Sequence, residues 1–160
     1  MEKYIITEKF TLVPTDCYKS NYLEEIFELN EKEVIESYNL PHFNATLACA
    51  IQKNDPNKNN GPLILFLINS LERIKDHNKL IISYNKKLNL LHIVAGEENK
   101  LLLANSFKCS HKNTMLYFIT LVCQQVMFNP LISGINVYGK LEMEEEMLIK
   151  KYFQKITLLK

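Results

Sequence analysis

Lys86 and Lys87 stand side by side in the stretch Tyr84-Asn85-Lys86-Lys87-Leu88, between two apolar runs. Adjacent ammonium groups in a tight turn are a means of holding phosphate as point charges. A phosphate site usually adds backbone N–H groups freed by glycine, and a carboxylate that holds Mg²⁺ through water. The stretch offers neither glycine nor acid. A second candidate is Gly139, in Tyr138-Gly139-Lys140 after the short apolar run 135–138. Glycine lets a backbone approach a ligand closely, and it equally serves a strand-to-helix turn, the simpler assignment here. The weak candidates for a cofactor-binding site are therefore Lys86, Lys87 and Gly139, with ATP and Mg²⁺ as the cofactors to weigh against none.

Other chemistries fare worse. Two-metal hydrolysis needs three or four converging carboxylates. The three aspartates fall at an expected helix start (Asp16), in a loop (Asp55) and at an expected helix end (Asp76), and Glu97-Glu98 occupies a hairpin turn. No catalytic or metal residue is assigned. His42, His77, His92 and His111 are scattered, and His92 beside Leu91 and Ile93 reads as a buried or edge histidine satisfied by hydrogen bonds. Cys109 and His111 invite a thiol–imidazole pair, yet Ser110 between them is explained more simply as a helix cap. Cys17, Cys49, Cys109 and Cys123 show no metal or disulfide spacing and read as buried free thiols in a reducing compartment.

The elements that must position these residues follow from periodicity. With 160 residues and 47% hydrophobic content, the chain can bury a core without disulfides or metal. Lys+Arg 19 against Asp+Glu 18 leaves a net +1, so no global field draws nucleic acid or an anionic membrane. No signal segment opens the chain and the longest apolar run, 62–68, is far too short to span a bilayer, which predicts a soluble cytoplasmic protein. Alternation predicts a strand over 4–14, a helix from Thr15 or Asp16 to Leu29, strands over 33–38 and 45–52, and a loop over 54–61. Pro62 suits the first turn of a helix reaching about Asp76. From Lys79 three apolar segments form an antiparallel meander, its second turn using Gly96 for positive φ. A helix over 112–128 with Ser110 as its cap, a strand over 135–138, a helix over 142–154 and a closing strand over 156–159 complete the pattern. Meander, helix and strand together read as the opening half of a ribonuclease H-like or actin-like layer.

Two quoted stretches carry a family resemblance. KFTLVPTDCY with ELNEKEVIESYNLPHFNATLACAI, and HIVAGEENKLLLANSFKCSHKNTMLYFITLVCQQVMFNP with its "KLLLxNSF" strand, resemble an uncharacterised Bacteroidetes family, domain of unknown function 3822, from about Lys9 to about Phe153. The resemblance implies an α/β fold of the ribonuclease H-like/actin-like type, a mixed sheet with an antiparallel three-strand meander and flanking helices. It implies a partial first lobe over 1–76 and a second lobe over 77–160, together forming one compact unit. In the actin-like group, phosphates meet the first meander turn and adenosine meets a glycine pair after the fourth strand. Lys86-Lys87 and the single Gly139 depart from both. Members begin with a further meander ahead of KFTLVP, whereas Met1 falls just before it here. That departure implies a shortened member whose open sheet edge is covered by a second copy or a protein partner. The expected function is a non-catalytic actin-like scaffold or interaction protein, and the alternative is an actin-like ATPase with a degenerate or partner-completed site. Neither a membrane nor nucleic acid is the expected partner.

Overall fold

The two most continuous apolar runs of the chain become neighbouring strands. In the computed structural model, which describes residues 3–19 and 21–160, β4 (Asn78–Asn85) pairs antiparallel with β5 (Leu90–Glu97). Leu80, Ile82, Leu91, Ile93 and Ala95 face one core cluster, while Ile81 and Val94 are also fully buried but outside that cluster. Successive side chains alternate between faces, so both faces of these strands are covered, which is why they read as unbroken apolar runs.

The chain divides into two compact units between Phe66 and Leu67, whereas sequence alone placed the boundary at 76/77. In the first unit, β1 (Phe10–Pro14) and β2 (Glu33–Leu40) flank β3 (Ala45–Gln52) in an antiparallel sheet of order β1-β3-β2. The β2–β3 hairpin closes through a tight turn at Pro41–Phe43, after which Asn44 takes φ 53°. Asparagine tolerates that left-handed conformation better than most residues. Leu23 and Phe27 of α1 (Asn21–Phe27) pack on Ala48 and Ala50 of β3, each burial contributing about 1.5–3 kcal/mol before entropy is counted. The helix expected from Thr15 or Asp16 to Leu29 is thus shorter. Thr15–Cys17 forms a separate helical turn that ends when Tyr18 turns extended, and Glu28 at φ 47° follows α1.

The second unit holds a five-stranded sheet of order β6-β5-β4-β7-β8. β6 (Lys100–Lys108) completes the antiparallel meander, and β7 (Gly134–Tyr138) and β8 (Lys155–Leu159) add parallel to β4. Met115, Ile119, Val122 and Cys123 of α3 (Lys112–Gln125) and Ile149 of α4 (Met143–Lys150) join the core cluster. Phe107 of β6 stacks on Phe118 of α3 at a centroid distance of 4.5 Å. Asn136, buried on β7, donates its amide to the Leu80 carbonyl at 3.1 Å and so meets its need inside the sheet. α2 (Leu63–Ser70) is also shorter than expected. A single tight turn at Leu71–Arg73 follows it, and the buried Lys79 ammonium donates to the Leu71 carbonyl at 3.1 Å. A cation there suits the negative end of a helix.

The second meander turn departs from expectation. Glu98, not Gly96, adopts positive φ (51°). Gly96 lies at a register shift in the β5–β6 pairing, where an added Cβ would fall 2.9 Å from the Lys100 carbonyl oxygen. Its smallness serves a close backbone approach rather than a left-handed turn. No helix among the described residues is long and apolar enough to cross a membrane.

Candidate functional site

Strand order reverses between β4 and β7: from β4 the chain builds outward through β5 and β6, and from β7 it builds the other way to β8. In open α/β sheets, ligands favour the carboxyl ends of strands at such a switch point. β4 and β7 are parallel, with Ile81 opposite Asn136 and Ile82 opposite Val137. Hence the turn after β4, which carries Lys86 and Lys87, and the connection after β7, which carries Gly139, leave the sheet at the same end.

At that end Lys86 is already engaged. Its ammonium lies 2.5 Å from the Glu142 carboxylate and 2.7 Å from Oε1 of Glu145, at the start of α4. The second Glu145 oxygen accepts the Glu142 backbone N–H at 2.9 Å, satisfying one of the orphan donors of the helix start. Glu145 is only 2% exposed. Its charge is tolerated because a cation, a peptide N–H and the positive end of the helix all meet it. Hydrogen bonding to Glu142 and then Glu145 holds the Lys86 ammonium well above the usual lysine value.

The turn closes on itself. The Leu88 N–H donates to the Asn85 side-chain oxygen at 3.0 Å, and the Asn89 N–H donates to the Lys86 carbonyl at 3.3 Å. Asn89 supplies the positive φ (51°) that glycine would otherwise provide. Lys87 projects into solvent with no ion-pair partner among the described residues. Gly139 has φ 92° and open space around the position of a Cβ, so its role is conformational. The structure therefore draws Lys86 to the first turn of α4, leaves Lys87 outside, and gives Gly139 a turn.

Around this ion pair lie the groups that suggested thiol chemistry. Cys109 is buried and donates its thiol to the His111 carbonyl oxygen at 3.5 Å, while burial pushes its pKa up. The His111 ring faces the helix instead: Nδ1 accepts the Asn113 N–H at 3.1 Å and caps α3. His111 is thus the cap, not Ser110, because His111 takes the extended backbone (φ −141°, ψ 145°) that precedes the first helical residue. Tyr84, on β4, has its hydroxyl pKa pushed up to about 12, chiefly by desolvation and then by Cys109. Lys112 pairs with Glu144 at 2.6 Å and lowers the pKa of that carboxyl.

The remaining candidates stay apart in role. The Asp55 carboxylate accepts the Asn57 N–H at 2.8 Å, a loop-closing bond, and Asp16 sits in the turn Thr15–Cys17. His77 lies 3.4 Å from Glu97 and 3.2 Å from Glu98 across the strand ends. His92 is buried on β5, opposite Ser83 on β4 and Ser106 on β6. Among the described residues no three histidine, cysteine, aspartate or glutamate side chains gather as a metal site. Cys49, Cys109 and Cys123 are buried free thiols, but Cys17 is exposed, since its turn lies outside any helix face. Sequence reasoning missed Glu145. The available signal was its place three residues after Glu142 at a helix start, where a carboxylate reaches back to a backbone N–H.

Comparison with known proteins decides the family. The model of the family described as "Protein of unknown function (DUF3822)" matches residues 61–156. The chain belongs to that family. The match takes in β4 to β7 with α3 and α4 and reaches only the first two residues of β8, while the stretches at 9–52 that carried part of the resemblance lie outside it. A crystal structure from Bacteroides thetaiotaomicron, described as a protein with an actin-like ATPase fold and unknown function, superposes with a TM-score of 0.75 at 21% identity. The superposition covers 98% of this chain and 66% of that one. The fold is accordingly actin-like, an α/β architecture with mixed sheet and flanking helices. No curated protein matches the chain.

Proposed function

We propose that this member of the family is a non-catalytic actin-like scaffold that works through protein contacts. The observation that supports it most directly is the Lys86 ammonium clasped by Glu142 and Glu145 at the switch point. A triphosphate approaching that end would meet two carboxylates already neutralising the nearest cation, and a turn that spends two of its N–H groups on itself. Like-charge approach and lost ion pairs both oppose it. These residues do not fit ATP and Mg²⁺, so no catalytic step is assigned to them.

Protein contact is supported by the strand edges. Among the described residues β8 pairs on one side only, with β7. Leu158 on β8 and Met143 and Met147 on α4 are exposed. An unpaired parallel edge beside exposed apolar side chains is a template for a further strand, and proteins usually cover such edges. A second copy of the chain, or another protein adding a strand at β8, is the partner this surface suits.

Calorimetry and thermal denaturation with Mg²⁺-ATP test the assignment. No heat and no shift are expected at millimolar nucleotide, because any ligand that binds the native state selectively must stabilise it. Saturable binding that stabilises the fold, or hydrolysis above the uncatalysed rate, would establish the ATPase alternative. The partner is tested separately by light scattering at micromolar concentration.

A further inference from the structure

At the opposite end of the five-stranded sheet, the beginnings of the parallel strands β4, β7 and β8 enclose an open cavity of about 360 Å³. Its size falls at the lower end of the roughly 300–1,000 Å³ typical of small-molecule sites. Asp76 precedes β4, Ser133 precedes β7, which Gly134 opens, and Lys155 opens β8; all four line the cavity. Ser133 is 4% exposed, and its hydroxyl has no hydrogen-bond partner among the described residues. A buried hydroxyl without a partner is uncommon and calls for an explanation such as a bound group.

Two charged residues on the rim, Asp76 and Lys155, are also unengaged. Neither the Asp76 carboxylate nor the Lys155 ammonium has a hydrogen-bond or ion-pair partner among the described residues. The Asp76 carboxylate and the base of the Lys155 side chain nevertheless approach the same backbone position. A Cβ placed on Gly134 would lie 3.7 Å from Asp76 Oδ2 and 3.8 Å from the Lys155 Cβ. A methyl group there would enter, at ordinary contact distance, the space between Asp76 and Lys155, with a buried hydroxyl at the adjoining residue. His77, which also lines the cavity, is held by Glu97 and Glu98, so it does not serve as the partner of Asp76. Asp76 and Lys155 thus line one small cavity without pairing with each other.

We propose that this cavity binds a small zwitterion, a free α-amino acid. Its ammonium would be met by Asp76 and its carboxylate by Lys155, with Ser133 contributing a hydrogen bond to the carboxylate. Both charges of such a ligand find a charge-assisted partner, and the limited volume admits a single residue-sized molecule. The proposal is independent of the Lys86 cluster and of any nucleotide.

The test is an NMR titration of the full chain with glycine and L-serine, using acetate and methylammonium as single-charge controls. Saturable shifts at the amides of Ser133, Gly134 and Lys155 are expected with both amino acids in the millimolar range. Each control should bind roughly tenfold more weakly, as expected when one of two charge contacts is missing. Asp76→Asn and Lys155→Gln, both at exposed side chains, should each weaken binding by a similar factor with the spectrum of the fold unchanged. Gly134→Ala narrows the same space and provides a second line of evidence. Absence of saturable shifts with either amino acid overturns the proposal, as do shifts that persist in both charge variants or acetate binding as tight as glycine.

Discussion

Lys86 and Glu145 face each other across 2.7 Å, with the carboxylate 2% exposed and the ammonium side chain 46% exposed. The pair is asymmetric. Lys86 can be hydrated without Glu145, but Glu145 without Lys86 is a charge in the interior with one backbone N–H for company. The lysine in the first meander turn is consequently a structural counter-ion of α4, tying a hairpin to the helix that follows β7.

Lys86→Met should therefore destabilise the protein more than Glu142→Gln, since Glu142 is 66% exposed and solvates its own charge. Adding Glu145→Gln to Lys86→Met should recover part of the loss, because the orphaned charge is then gone while the N–H bond to the side chain is kept. Urea midpoints for the three variants give the comparison. Equal midpoints for Lys86→Met and the wild type would mean that the pair contributes nothing.

The cap of α3 offers a sharper discrimination, because two adjacent residues compete for the role. His111 Nδ1 accepts the Asn113 N–H, so His111→Ala should cost about 1 kcal/mol. Ser110→Ala should stay within about 0.5 kcal/mol, as for a surface change away from such features. Reversed magnitudes in chemical denaturation would restore Ser110 as the cap.

That contrast marks what the sequence can carry. Serine is among the commonest caps, and nothing local tells which of two neighbours will adopt extended backbone, so Ser110 was the natural choice. Gly96 misled in the same way: glycine suggests positive φ, whereas Glu98 takes it and Gly96 is needed for a close carbonyl contact. Strand order was more legible, since runs such as Leu80-Ile81-Ile82 can only be buried on both faces and the meander turns separate them cleanly. The Lys86–Glu145 pair was invisible, because it joins elements that only the parallel β4–β7 register brings to one end. A lysine in a turn looks free until the fold supplies its acid.

Thiol chemistry gives a prediction with a definite pH window. Cys17 is exposed, whereas burial pushes Cys49 to about 12, Cys123 to about 11, and raises Cys109. A disulfide reagent at pH 8 should react quickly with one thiol, Cys17, and with the other three only on unfolding. A thiol whose folded value lies above the ordinary 9.0 favours the fold in its neutral form. Its contribution is complete below pH 9 and is lost as pH rises through the folded value, here between pH 9 and about 12. Tyr84, raised from 10.0 to about 12, adds a loss of the same sign at the upper end of that range. The unfolding midpoint should therefore fall between pH 9 and 12, and Cys49→Ala should make the fall shallower. A slope unchanged by that substitution would remove Cys49 from the account.

Gly96→Ala probes the register shift between β5 and β6. The new methyl would meet the Lys100 carbonyl oxygen at 2.9 Å and the Leu71 side chain at 3.2 Å. Leu71 can give way by rotating, but a backbone carbonyl held in a strand pair cannot move without breaking the ladder. The expected loss is about 1–3 kcal/mol, the usual penalty for forcing an extra carbon into a packed site. Combining Gly96→Ala with Leu71→Val separates the two contacts. If the leucine is the obstacle, the second change recovers stability; if the Lys100 carbonyl is the obstacle, as the rigid geometry implies, the double variant unfolds at lower urea than either single variant. Hydrogen exchange at the amides of 95–101 locates the strain, and faster exchange confined to the β5–β6 end is the signature expected of a disturbed backbone approach.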